Sequence, residues 1–143
     1  MIVMKKFICI LAAVMMMAFG GICSASDGSD LNSEQKTAQL FFDAFKGENV
    51  PEYSVLSRDF ADSLKNQFTE ANYNGLQRNT KNNFGTLTES RFFAYQRYDE
   101  SDVVAYYVAF DSNKVAQMVF TFDKNKKLIN VSMAEVNTQQ GNK

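Results

Sequence analysis

Apolar positions recur along this chain with two different periods, and the change falls at Gly85. Before it, Ala38, Phe41, Phe42 and Phe45 follow at helical spacing, with Leu40 and Ala44 widening the stripe. Asn32 stands ahead of them with Gln35 three residues on, a capping-box pattern in which each side chain satisfies the other's orphan amide. Gly47 is a natural stop, so the spacing predicts a helix over 33–46. Pro51 marks a turn, and Ser57 can cap a short amphipathic piece holding Phe60, Ala61 and Leu64. Thr69 can cap a longer run through Ala71, Tyr73 and Leu76 towards Phe84. Its many asparagines and Gly75 are poor helix formers, so that run must be held by packing.

After Gly85 the period becomes two. Leu87, Phe93 and Tyr95 are expected on one face of a long strand, with Phe92 and Ala94 on the other. Val104, Tyr106, Val108 and Phe110 then alternate with Ala105, Tyr107 and Ala109. Met118, Phe120 and Phe122 alternate with Gln117, Val119 and Thr121, and Ile129, Val131 and Met133 alternate with Asn130, Ser132 and Ala134. Polar turns separate these runs at Asp99 to Asp102, Asp111 to Lys114 and Asp123 to Lys127. Four strands with short turns predict an antiparallel meander with one strongly apolar face. Helices first and strands afterwards predict an α+β domain, its helices laid across the sheet.

The ends of the chain read differently. Lys5 and Lys6 precede an uncharged stretch from Phe7 to Ile22, followed by small residues at Cys23-Ser24-Ala25. A basic start, an apolar core and a small-residue exit are the parts of a secretory signal peptide. The apolar run of about 16 residues falls short of the roughly 20 needed to span a bilayer. Residues 1–25 are therefore read as a leader cleaved after Ala25, 26–32 as a flexible arm, 33–136 as a single domain and 137–143 as a polar tail. Export to the periplasm or the medium follows, with no membrane span left afterwards. Cys23 offers the competing reading of a lipidated first residue, which the bulky Ile22 before it disfavours.

The Ala38-Gln39-Leu40-Phe41-Phe42-Asp43-Ala44-Phe45 helix, the Phe84-Gly85 junction and the alternating strands resemble the cystatin-like or nuclear-transport-factor-2-like superfold. The chain looks most like a family of small secreted bacterial proteins whose function is unassigned. This resemblance implies a fold over about residues 33–136. It implies no activity, because that superfold hosts isomerases, dehydratases, transport adaptors and plain interaction domains.

Composition removes chemistries. The chain has no histidine, and both cysteines, Cys9 and Cys23, lie in the leader. Nucleophilic cysteine and serine–histidine catalysis are thereby excluded, and a metal site would need carboxylates alone. Asp123-Lys124-Asn125-Lys126-Lys127 opens like a calcium loop, but lysines stand where further oxygen ligands belong, so it reads as a hairpin turn. No glycine-rich phosphate loop occurs. With 15 basic against 16 acidic residues, no nucleic-acid partner is indicated, and neither a cofactor nor a metal is expected.

Thirteen phenylalanines and six tyrosines are the feature with most weight. Ordinary core packing explains most of them. An acid–base site would need a carboxylate with a raised pKa beside a tyrosine hydroxyl, and Asp43 in the first helix, facing Tyr95 or Tyr106, is the candidate set. Asp102 and its neighbours in the turns read as solvated. Two function classes stay open. One is a non-catalytic module binding a small apolar ligand or another protein, with a homodimer through the sheet as a third, structural variant. The other is a small isomerase-like enzyme using Asp and Tyr. The composition leans against catalysis.

Overall fold

The computed structural model describes residues 28–136; the leader and the polar tail lie outside them. Helix α1 spans Gly28–Lys46, starting five residues before the spacing suggested, so Asn32 lies inside it instead of capping it. Ala38, Phe41, Phe42, Ala44 and Phe45 are all buried, as the stripe requires. Two short helices follow, α2 at Tyr53–Leu56 and α3 at Asp62–Gln67, with a 3-10 turn at Ser57–Asp59 between them. Helix α4 runs Glu70–Asn83 from Thr69, whose backbone N–H donates to Asn72 Oδ1 at 2.9 Å. Its asparagine-rich surface contributes little, and it is held through buried Tyr73 and Thr80.

Strands β1 (Leu87–Arg97), β2 (Asp102–Phe110), β3 (Val115–Phe122) and β4 (Leu128–Val136) form an antiparallel sheet in the order β1-β2-β3-β4. The α+β meander is thus as the periodicity indicated. Gly85, at φ +95°, joins helices to sheet: a Cβ there would collide with the Asp111 carboxylate, which accepts the Thr86 N–H at 3.1 Å. No side chain larger than hydrogen fits that approach.

The two central strands bury the expected face: Val104, Tyr106, Val108, Phe110, Met118, Phe120 and Phe122 are all in the core. Both edge strands depart from strict alternation. On β1, register shifts lie between Leu87 and Glu89 and between Phe92 and Ala94. Phe92 therefore pairs with Tyr106 on the helix side, whereas Phe93, expected there, packs edge-on against Tyr107 across the sheet. On β4, Leu128 pairs with Phe122 and Asn130 with Thr121, so Ile129 is the extra residue and Leu128 takes the core position instead. A bulge inserts one residue and resets the face of everything beyond it, which strict alternation cannot anticipate.

Helices cover one face of the sheet. Phe41 stacks near Phe60 (centroids 6.1 Å) and meets Phe120 edge-on at 5.6 Å, while Phe42 meets Tyr106 edge-on at 4.9 Å. Offset and edge-on contacts suit the ring quadrupoles and bind α1 to the sheet's centre. Among the described residues, no helix is long and apolar enough to cross a membrane.

Candidate functional site

The same stripe of α1 that carries Phe41 and Phe45 also carries Glu34, four residues before Ala38. Helical spacing therefore turns a carboxyl inward, and Glu34 is completely buried. It arrives beneath the end of the sheet where β1 and β2 meet and where the β3–β4 turn closes. Four ion pairs frame that place: Arg97 with Asp30 at 3.0 Å, Arg97 with Asp102 at 3.3 Å, Lys124 with Asp102 at 2.8 Å, and Lys126 with Asp30 at 3.1 Å. Asp102 is the hub and is itself buried. This corrects its reading as a solvated turn residue: it opens β2 opposite Arg97, on the helix-facing side.

Glu34 and Asp102 are held at opposite ends of the carboxylate range. Burial pushes the Glu34 carboxyl up to about 9, assisted by a hydrogen bond with Asp102 and the negative charges of Asp102 and Asp30. Neither Glu34 oxygen meets a donor, as expected of an acid that keeps its own proton and donates a hydrogen bond with it to a neighbouring carboxylate. Burial alone would raise Asp102 too, but the hydrogen bonds from Glu34 and Lys124, with the charges of Lys124 and Arg97, outweigh it and hold Asp102 below its usual value. Beside this pair the Tyr95 hydroxyl is buried without a partner. Burial first, then the charges of Glu34 and Asp102, push it up to about 12.

The expected site residues do not come together. Asp43 is half-buried and spends its carboxylate on an exposed hydrogen bond accepted from Gln39 Nε2 at 3.0 Å, not on either tyrosine. Tyr106 is a core residue among Phe42, Phe92 and Phe120, and burial raises its hydroxyl although a hydrogen bond with Gln35 opposes this. Tyr95 does stand beside a buried carboxyl, but that carboxyl is Glu34. Sequence reasoning missed Glu34 although its signal was present in the apolar stripe. Among the described residues, no group of three or more acidic, histidine or cysteine side chains could hold a metal ion.

A different feature lies at the other end of α1. Between the helices and the β4 side of the sheet is a cavity of about 210 Å³. Its apolar lining is Phe45, Leu64, Phe68, Leu76, Met118, Val131 and Met133, completed by the neutral polar residues Gln67, Asn130 and Ser132. None of Glu34, Tyr95 or Asp102 contributes to it. Chemistry and space are therefore at different places: the perturbed acid is in a packed ionic cluster, and the apolar cavity has no titratable group.

No family model matches the chain, and no curated protein matches it. Among solved structures, the chain is similar to a SnoaL-like protein of unknown function from Burkholderia thailandensis, at 13% identity and a TM-score of 0.44, over 74% of this chain and 96% of that one.

Proposed function

We propose that this protein is a non-catalytic binding module that works outside the cytoplasm and takes an apolar guest in the cavity beside β4. The observation that carries the reading is the lining of that cavity: seven apolar side chains, three neutral polar ones and no acid or base. A site of this composition can desolvate an apolar group and orient it, but it has nothing with which to move a proton. Its volume compares with the roughly 150 Å³ cavities that hold a benzene molecule. Export is supported by the Lys5-Lys6 start, the short apolar core and the Cys23-Ser24-Ala25 exit.

Titration with indole, followed through the methyl resonances of Met118 and Met133, tests the guest. Saturable shifts confined to the cavity lining support the reading, and unmoved methyls at millimolar indole overturn it. For export, the intact mass of the secreted protein should begin at Ser26; a chain starting at a lipidated Cys23 would replace release with anchoring.

One observation favours a second reading. Glu34 and Tyr95 bring a protonated acid and an unpartnered phenol together, the pairing from which an oxyanion site is made. An isomerase-like enzyme would act there. The ion pairs around Asp102 already engage the neighbouring charges, and the apolar cavity lies elsewhere, so the binding reading stands first.

A further inference from the structure

The cavity is bordered by backbone as well as side chains. In a strand, residues whose side chains share one face also direct their N–H and C=O groups to the same side. On β4, Leu128 faces the core, and its carbonyl accepts the Ala61 N–H at 2.8 Å from outside the sheet, where Phe60 forms an isolated parallel bridge. Val131 and Met133 face the core likewise, opposite Phe120 and Met118. Their N–H and C=O groups must therefore point away from β3, towards that outer edge. Among the described residues, no backbone or side-chain partner reaches them there. Both residues also line the cavity.

A small apolar guest would fill this space and leave those backbone groups to water. An extended peptide would pair with them. We propose that the guest is an extended polypeptide segment that adds to the β4 edge at Val131 and Met133 and inserts one uncharged apolar side chain into the cavity. This rests on the binding reading above and specifies its ligand. The chain already uses the same edge one step upstream, where Phe60 and Ala61 supply a short parallel partner to Leu128. The opposite edge of the sheet is built differently. There β1 carries two register shifts and the exposed charges Glu89 and Arg91, which are common means of blocking strand addition. Main-chain bonds would supply affinity, and the Leu64, Phe68, Leu76 and Met118 lining would select the side chain.

The test uses the capped peptide acetyl-Thr-Val-Leu-Val-Thr-amide with the full mature chain, in parallel with indole. Backbone addition should slow amide exchange at Val131 and Met133 by about tenfold at saturation. Two analogues, N-methylated on alternate residues, separate main-chain from side-chain binding. One must lose its binding, because its methyl groups face β4, and the other must keep it. Indole shifts without peptide protection, or equal binding by both analogues, overturn strand addition while leaving the cavity as a binding site. Methyls unmoved by millimolar indole remove the binding reading itself, whatever the peptide does.

Discussion

The two ends of α1 are buried by opposite means. Glu34 and Phe45 lie about 16 Å apart along one helical stripe. Glu34 sits among Asp30, Arg97, Asp102, Lys124 and Lys126, whereas Phe45 borders an apolar cavity. At the ionic end, space is filled by charges that satisfy one another, and Glu34 is kept neutral first by burial and then by the Asp102 and Asp30 carboxylates. At the apolar end, the side chains are well matched to each other but leave a volume unfilled. The ionic arrangement specifies how the helix docks; the apolar one leaves room for something else. A perturbed carboxyl in this molecule therefore marks an anchor, and the apolar cavity beside β4 carries no charge at all.

Breaking the frame shared by both ends should have the largest effect. Phe120 touches Phe41, Phe42 and Tyr106 and is fully buried, so Phe120→Ala is expected to cost about 3–5 kcal/mol. Urea unfolding measures it. A loss below about 1 kcal/mol would mean that the sheet's centre is not packed as described.

Asp102→Ala attacks the ionic end alone. It leaves Lys124 without its carboxylate and Arg97 with Asp30 alone, and it takes from Glu34 the carboxylate that accepts its hydrogen bond. Loss of a buried hub costs about 3–5 kcal/mol, and the lower figure is expected here because Arg97 and Lys124 keep partial access to water. The indole site should survive at temperatures where the variant is folded. Loss of indole binding along with the ion pairs would show that the two ends are coupled.

A smaller effect distinguishes the protonation states. The folded pKa of Glu34, about 9, lies above its unfolded value of 4.5, so the native state holds one more proton between them. Its contribution is fully present below about pH 4.5 and is lost as pH rises through 9. Glu34→Gln keeps a neutral donor towards Asp102 at every pH. The variant should match the wild type at pH 4 and exceed it by on the order of 3 kcal/mol at pH 7. Asp102 works in the other direction: its lowered pKa gives stability above its unfolded value of 3.8 that disappears as pH falls through the folded one. Equal stabilities of wild type and variant across the alkaline range would place a charged carboxylate at position 34.

What could be read from the chain followed the regularity of its parts. The α1 stripe and the central strands obey single periods, and Phe41, Phe45, Val104 and Phe120 are where those periods put them. Where a bulge adds a residue, at Phe93 and Ile129, alternation assigns the wrong face, because nothing local distinguishes the extra residue from its neighbours. Polarity misleads at the site itself. A charged residue is uncommon on a core face without a partner, so polarity alone assigns Glu34 and Asp102 to solvent. Their partners, Arg97 and Lys124, come from other strands and turns, and only the fold brings them within 3.3 Å and 2.8 Å of Asp102. The position of Glu34 on the stripe is legible; the reason it is tolerated there is not.

The smallest effect belongs to the residue that the sequence singled out. Asp43 lies on α1 between the two ends, but it is only half-buried and accepts an exposed hydrogen bond from Gln39 one turn earlier. An exposed contact of this spacing is worth about 0.2–0.5 kcal/mol, and asparagine keeps the accepting oxygen. Asp43→Asn is therefore expected to change stability by less than about 0.5 kcal/mol, with indole binding unaltered. Urea midpoints at pH 7 and the same indole titration are sufficient to measure both. A loss above about 1 kcal/mol, or a weakened indole site, would require α1 to be rotated so that Asp43 faces inward. That rotation would carry Glu34 away from Asp102, since both acids ride on one rigid helix. The two carboxylates cannot both be buried on the sheet side, and the exposed Gln39 contact identifies Asp43 as the one turned away from it.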